Sequence, residues 1–64
     1  MSVEKRDRAK LAGEYLKTAK VGAREAKKIF ENIGDKDGAK IAESIEKEAS
    51  RGQEYVEKRL GPGN

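Results

Sequence analysis

The sequence predicts an all-α protein, a hairpin of two antiparallel helices that dimerises into a four-helix bundle. Apolar residues recur at steps of three or four through two segments, the spacing of an amphipathic helix. A short stretch containing Gly34 separates the segments, and so short a connection forces the two helices antiparallel. Only 34% of the 64 residues are hydrophobic and none is Cys, so one hairpin has little apolar surface to bury and no disulfide to stabilise it. We therefore expect two copies to associate.

The first predicted helix covers residues 3–33, with Ser2 as its N-cap. Gly13 and Gly22 lie inside it, each less favourable than Ala by about 1 kcal/mol. They allow a close approach of another helix, are simply tolerated, or, near Val21 and Gly22, introduce a kink. The apolar positions repeat as a heptad seam, formed by Ala9, Ala12, Leu16, Ala19, Ala23, Ala26, Phe30 and Ile33.

The predicted turn covers residues 34–36, with Gly34 in the left-handed conformation that ends many helices. Asp35 or Asp37 is expected to cap the second helix, which covers residues 37–60 and is followed by a tail, 61–64. The heptad seam continues into the second helix at Gly38. The whole chain is expected to form a single domain. The residues expected to form the core of the hairpin and its dimer are Ala12, Leu16, Ala19, Ala23, Ala26, Phe30, Ala42, Ile45, Ala49, Gly52 and Val56.

The composition argues against catalysis. The chain has no His for general-base chemistry and no Cys nucleophile, so we predict no enzyme, no catalytic residue and no cofactor. The segment 35–38 looks like part of a calcium loop, but Ile33 and Ser44 would then occupy ligand positions, so no metal site is expected. No apolar run is long enough to cross a membrane, and a cytoplasmic location is expected.

Positive charge is concentrated in the first helix. Residues 1–33 contain nine Lys and Arg against five Asp and Glu, a net charge of +4, whereas residues 34–64 contain six against seven, a net charge of −1. Six of the basic residues recur at spacings that align them along one helix face, where they could contact phosphates. The alternative is an ordinary solvated face of a Lys-rich helix. This predicted basic face of the first helix consists of Arg6, Lys10, Lys17, Lys20, Arg24 and Lys27.

The second helix contains the pattern Ala39-x-Ile41-x-Glu43-Ser44-Ile45, then Ala49, then Arg59-Leu60-Gly61. With these residues it resembles the Rop family of small plasmid-encoded RNA-binding proteins. The resemblance implies a homodimeric four-helix bundle that binds paired RNA stem-loops on the surface formed by the first helices of both copies.

The resemblance carries only part of that RNA site. In the same alignment Lys10, Lys17 and Lys20 match basic positions of the family. The stacking aromatic of the family falls at Thr18, its contact amides at Glu14 and Gly22, and two of its lysines at Asp7 and Ile29.

The leading functional prediction is a small regulatory protein that binds structured RNA or duplex nucleic acid. A protein-interaction or assembly module, such as an adaptor or anti-regulator, is the alternative from another class. A designed bundle without a natural partner is a third, although Gly13, Gly22 and Gly52 are poor choices for a designed helix.

Overall fold

The computed structural model describes residues 3–60 and contains two helices joined by a tight turn. Helix α1 covers Val3–Asn32 and helix α2 covers Lys36–Leu60. The helical hairpin predicted from the sequence is therefore confirmed. Helix α1 continues without interruption through Gly22. The predicted cap Ser2 and the predicted tail 61–64 lie outside the described residues.

The turn consists of Ile33, Gly34 and Asp35, so the sequence placed the end of α1 and the start of α2 one residue too late. Gly34 has φ of 76°, which confirms the left-handed glycine. The Asp35 N–H donates to the Phe30 carbonyl at 2.8 Å and the Gly34 N–H donates to the Glu31 carbonyl at 3.2 Å. These two bonds satisfy carbonyls at the end of α1 in a Schellman arrangement. The start of α2 is capped by Asp35, whose Oδ1 accepts from the Gly38 N–H at 2.9 Å.

The two helices pack antiparallel, and large side chains of α1 lie over glycines of α2. Leu16 lies over Gly52, and Phe30 lies over Gly38. The residue numbers of facing positions add up to between 68 and 70, which defines the register of the hairpin. A Cβ at Gly52 or Gly38 would come within 2.7 Å of the facing side chain, so the close approach of the helices depends on glycine at both positions.

The fully buried residues between α1 and α2 are all small. Among residues 3–60, the buried ones are Ala23, Gly38, Ala42 and Ala49. Nine large hydrophobic side chains within the described residues are between 51% and 74% exposed in the single chain. The hairpin therefore buries few of the apolar groups on which the stability of a small domain depends.

The residues of the predicted seam differ in how far they are buried in the single chain. Leu16, Ala26, Phe30, Gly52 and Val56 are half-buried between the helices, together with the buried Ala23, Ala42 and Ala49. In contrast, Ala12, Ala19 and Ile45 are exposed in the single chain. The residues one position further along each helix, Gly13 and Lys20 on α1 and Glu46 on α2, are half-buried.

Most of the exposed large side chains lie on one side of the hairpin. A shallow groove on that side is lined by Leu16, Ala19, Ser44, Ile45, Glu48 and Ala49, so both helices contribute to it. Helical spacing from Ala19 and Ile45 brings the neighbouring apolar residues to the same side. This surface is called the apolar face below, and its members are Ala12, Tyr15, Ala19, Ala26, Ile29, Ile33, Ile41, Ile45 and Tyr55.

Candidate nucleic-acid interface

The basic face of α1 runs along the side of the hairpin away from the apolar face. Lys10, Lys17 and Arg24 follow one another at intervals of seven residues, and helical geometry therefore aligns them. Arg6, Lys10, Lys17 and Arg24 are exposed, whereas Lys20 and Lys27 are half-buried beside α2.

The end of the basic face nearest the turn is paired with carboxylates of α2. The Nε and Nη2 atoms of Arg24 both lie 3.0 Å from Oε2 of Glu46. Glu46 is the less exposed partner, with 22% of its side chain accessible against 50% for Arg24. The guanidinium therefore makes a charge-assisted contact that links the two helices.

Lys27 is held in a similar way. Its Nζ lies 3.8 Å from Oε2 of Glu43, and the Nζ of Lys47 lies 3.7 Å from Oε1 of the same carboxylate. Glu43 thus lies between a cation of α1 and a cation of α2. Binding phosphate at Lys27 would compete with this carboxylate, as it would with Glu46 at Arg24.

The other end of the basic face is unpaired. Among residues 3–60, no ion pair involves Arg6, Lys10, Lys17 or Lys20. These four residues are called the free basic row below. They concentrate positive charge on the part of α1 that is far from the turn.

Two carboxylates lie close to the free basic row. Lys10 lines a small groove together with Glu14 and Glu57, one from each helix. At distances comparable with the ~8–10 Å screening length of physiological salt, these anions lower the positive potential around Lys10. Lys17 lines a different groove, together with Glu14, Thr18, Val21 and Gly22. It therefore has one acidic neighbour in its groove, whereas Lys10 has two.

No aromatic side chain accompanies the row within the described part of the chain. Tyr15 and Tyr55 belong to the apolar face, and Phe30 packs against Gly38. The guanidinium of Arg59 lies 5.9 Å from the centroid of the Tyr55 ring, on the apolar side of α2. The basic row therefore presents cations without a ring on which an unpaired base could stack.

Residues 3–60 contain no group of three His, Cys, Asp or Glu residues that could hold a metal ion. None of the helices in the same range is long and apolar enough to cross a membrane.

Helical spacing in the sequence predicts the row of cations on α1 but not their carboxylate partners on α2. Glu43 and Glu46 are separated from Lys27 and Arg24 by 16 and 22 residues, so helical spacing within one helix could not reveal the pairs. The signal that could have found them is the antiparallel register, which brings the acidic side of α2 against the basic side of α1.

Comparison with protein-family models, with curated proteins and with solved structures finds no match to this chain.

Proposed function

We propose that this chain is a small, non-catalytic regulatory protein that acts as a dimeric four-helix bundle and binds structured RNA or duplex nucleic acid through the basic face of α1. The observation that carries the proposal is the free basic row, which has no carboxylate partner among the described residues. Cations without an intramolecular partner can contact phosphate oxygens, and these contacts are favoured by the release of condensed counterions.

The dimensions of the row suit a duplex. Arg6 and Lys20 are separated by 14 helical residues, or about 21 Å along the axis at ~1.5 Å per residue. That length corresponds to about six base pairs at ~3.4 Å per step along one strand. Because the row has no aromatic neighbour for stacking, paired RNA or duplex DNA is favoured over an unpaired strand.

Dimerisation is supported by the exposure of the apolar face. Tyr15, Ile29, Ile41, Ile45 and Tyr55 each expose more than half of their accessible surface in the single chain. A second copy stacked on this face removes these side chains from water and gives the apolar groups a common core. The basic faces of both copies remain outside that core, where they are available to nucleic acid.

The resemblance to the Rop family adds to this proposal. Ile41 and Ile45, two of the residues that carry the resemblance, belong to the apolar face. A bundle of the same kind would use them between the two hairpins. The part of the family's RNA site that matches this sequence is Lys10, Lys17 and Lys20, which is three of the four residues of the free basic row.

A protein-interaction module is the second candidate, and the apolar face favours it. The groove at Ala19 and Ile45 has the apolar lining that accepts side chains of a helical partner. The two candidates differ in their response to salt, since phosphate contacts weaken steeply with ionic strength and apolar docking does not.

The test is fluorescence anisotropy with a labelled RNA stem-loop and a labelled DNA duplex, at low and moderate salt. One variant replaces Lys10, Lys17 and Lys20 by Gln, which keeps the apolar stems and removes three charges. The matched control replaces three exposed lysines of α2 by Gln and changes the net charge equally: Lys36, Lys40 and Lys58.

The proposal predicts that the α1 variant loses at least about tenfold in affinity and that its salt slope falls by about two to three, roughly one unit per lost phosphate contact. The α2 control keeps most of the affinity. Equal losses in both variants would show that only net charge matters, and no binding at low salt would remove nucleic acid as the partner. Binding of a protein partner that persists at high salt would favour the interaction module.

A further inference from the structure

The polar side of the hairpin near the turn brings two carboxylates of α2 against two cations of α1. Oε2 of Glu46 lies 3.0 Å from Nη2 of Arg24, and Oε2 of Glu43 lies 3.8 Å from Nζ of Lys27. Both cations belong to the basic face for which nucleic-acid binding is proposed above. The two carboxylates therefore lie where phosphate oxygens would contact these cations.

We infer, resting on the proposed function, that Glu43 and Glu46 exclude phosphate from the part of the basic face nearest the turn and confine nucleic acid to the free basic row. They determine how much of α1 the nucleic acid contacts, although neither residue belongs to α1. Glu43 and Glu46 are called the blocking carboxylates below.

The contact between Arg24 and Glu46 occupies an edge of the guanidinium group. Nε and Nη2 of Arg24 form that edge, and both lie 3.0 Å from the same carboxylate oxygen. Arginine binds phosphate in a bidentate manner through an edge with two parallel N–H groups. Within residues 3–60, Glu46 has no second cation at ion-pair distance, so a phosphate that displaced it would leave a half-buried carboxylate unpaired.

Lys27 is less accessible to phosphate than the lysines of the free basic row that are exposed. Its side chain is half-buried beside α2, so its ammonium group is held close to the carboxylate of Glu43. Lys47 lies on the other side of the same carboxylate, with its Nζ 3.7 Å from Oε1. Because two cations stabilise Glu43 in this position, it stays near Lys27 and repels an approaching phosphate.

The blocking carboxylates remove about a third of the length of the basic face. From Arg6 to Lys27 this face is about 32 Å long at ~1.5 Å per residue, and the free basic row, from Arg6 to Lys20, is about 21 Å of it. Arg24 follows Lys20 by one helical turn, or about 6 Å. A phosphate strand that follows the row towards the turn therefore reaches Glu46 within about two base steps of ~3.4 Å.

The position of the blocking carboxylates also affects how a duplex lies on the hairpin. A straight duplex placed parallel to α1 along its whole length would pass over Glu43 and Glu46. We therefore expect the duplex to be inclined to α1 and to contact it at the end far from the turn.

The same ion pairs also link α1 to α2, and this structural role alone predicts a different result. If the pairs only hold the helices together, loss of the carboxylates lowers Tm and leaves the affinity for nucleic acid unchanged or reduced. If the carboxylates block phosphate, their loss raises the affinity. The sign of the change in affinity therefore separates the two roles.

The test replaces both blocking carboxylates in one variant, Glu43→Gln with Glu46→Gln. Glutamine keeps the size of the side chain and removes its charge, so Arg24 and Lys27 become available to phosphate. In fluorescence anisotropy with a labelled RNA stem-loop and a labelled DNA duplex, the affinity should rise about tenfold at ~50 mM salt. Two new phosphate contacts add about 1.8 to the salt slope, so the gain should be almost lost at ~200 mM salt.

The matched control measures the same gain in an Arg24→Gln, Lys27→Gln background. There the glutamines at 43 and 46 raise the net charge by the same amount, but the two cations that they would release are absent. The gain should therefore disappear in this background. Circular dichroism of all four proteins checks that each remains helical.

The outcomes separate the role of the blocking carboxylates from nucleic-acid binding itself. A gain that requires Arg24 and Lys27 supports the inference. A gain of equal size in both backgrounds would come from net charge alone, and it overturns the inference, as does the absence of any gain; in both cases binding by the original chain leaves the proposed function standing. No binding by any of the four proteins at low salt overturns the proposed function and the inference with it.

Discussion

The contact between Gly38 and Phe30 allows a direct test of the hairpin register. Gly38 is buried in the first turn of α2, under the ring of Phe30 from α1. An alanine Cβ at this position would lie 2.5 Å from Cδ1 of Phe30 and 2.7 Å from both Cε1 and Cγ. The substitution Gly38→Ala therefore forces the ring or the helix to move.

The size of the effect follows from two opposing contributions. Carbon atoms in contact prefer separations of ~3.5–4.0 Å, so the ring must move by about 1 Å. Cγ is the ring atom nearest the backbone, so rotating the far edge of the ring does not relieve the contact. Overpacking of this kind costs about 1–3 kcal/mol, and the better helix propensity of Ala returns at most about 1 kcal/mol. We expect a net loss of about 1–2 kcal/mol.

Thermal unfolding followed by circular dichroism measures this loss. For a domain of this size 1 kcal/mol corresponds to about 4–8 °C in Tm, so Gly38→Ala should lower Tm by roughly 4–16 °C at fixed protein concentration. A second Gly38→Ala in a Phe30→Leu background provides the control, because the flexible Leu tip can turn away from the new methyl group. The penalty of Gly38→Ala should then shrink by about 1 kcal/mol.

An increase in Tm for Gly38→Ala in the wild-type background would refute the reasoning. It would mean that Phe30 does not lie over Gly38, and the facing positions of α1 and α2 would have to be reassigned. An unchanged penalty in the Phe30→Leu background would trace the loss to the first turn of α2 instead of the ring.

Three further predictions concern the same hairpin. Gly52→Ala should destabilise the protein because the new Cβ would approach the facing side chain to 2.7 Å. The larger side chain of Gly52→Leu should destabilise it more, and equal Tm values for the two variants would contradict this contact. Asp35→Ala should cost about 1 kcal/mol because the cap of α2 is lost, and Asp35→Ser should recover most of it in urea titrations. A double-mutant cycle on Arg24 and Glu46 should give a coupling of about 0.2–1 kcal/mol, since Arg24 is half exposed. That coupling should weaken in about 1 M salt, and a salt-independent value would argue against an ion pair.

The turn could be predicted from the sequence because its determinants are local. Gly34 follows the last periodic residue of α1, and Asp35 precedes the first turn of α2. Each residue acts on backbone groups within five positions, so sequence spacing contains the information. The boundaries were accordingly correct to within one residue.

The division of the apolar residues could not be predicted in the same way. A heptad pattern shows that a helix has a buried stripe, but it does not show which partner buries each position. The hydrophobic stripe includes Ala12 and Ala19, which are exposed in the single chain, whereas Gly13 and Lys20 are half-buried. Glycine allows close helix contact and a lysine stem can pack on a neighbour, and neither property appears in an apolar count.

The basic face shows a similar limit. The alignment of cations along α1 follows from helical spacing, since α1 is one continuous helix over Val3–Asn32. The basic face consists of the free basic row and the paired residues Arg24 and Lys27. Which residues are paired depends on Glu46 and Glu43 from the other helix. Only the register between the helices reveals which cations remain available.

Sedimentation equilibrium at micromolar concentrations shows whether a second copy covers the apolar face. We predict a single species of twice the chain mass of 7.1 kDa, and an Ile45→Glu variant should lose that association because it buries a carboxylate in the apolar groove. A species of 7.1 kDa that keeps its helix content and a concentration-independent Tm would contradict the claim, because the hairpin would then be stable with its apolar face in water.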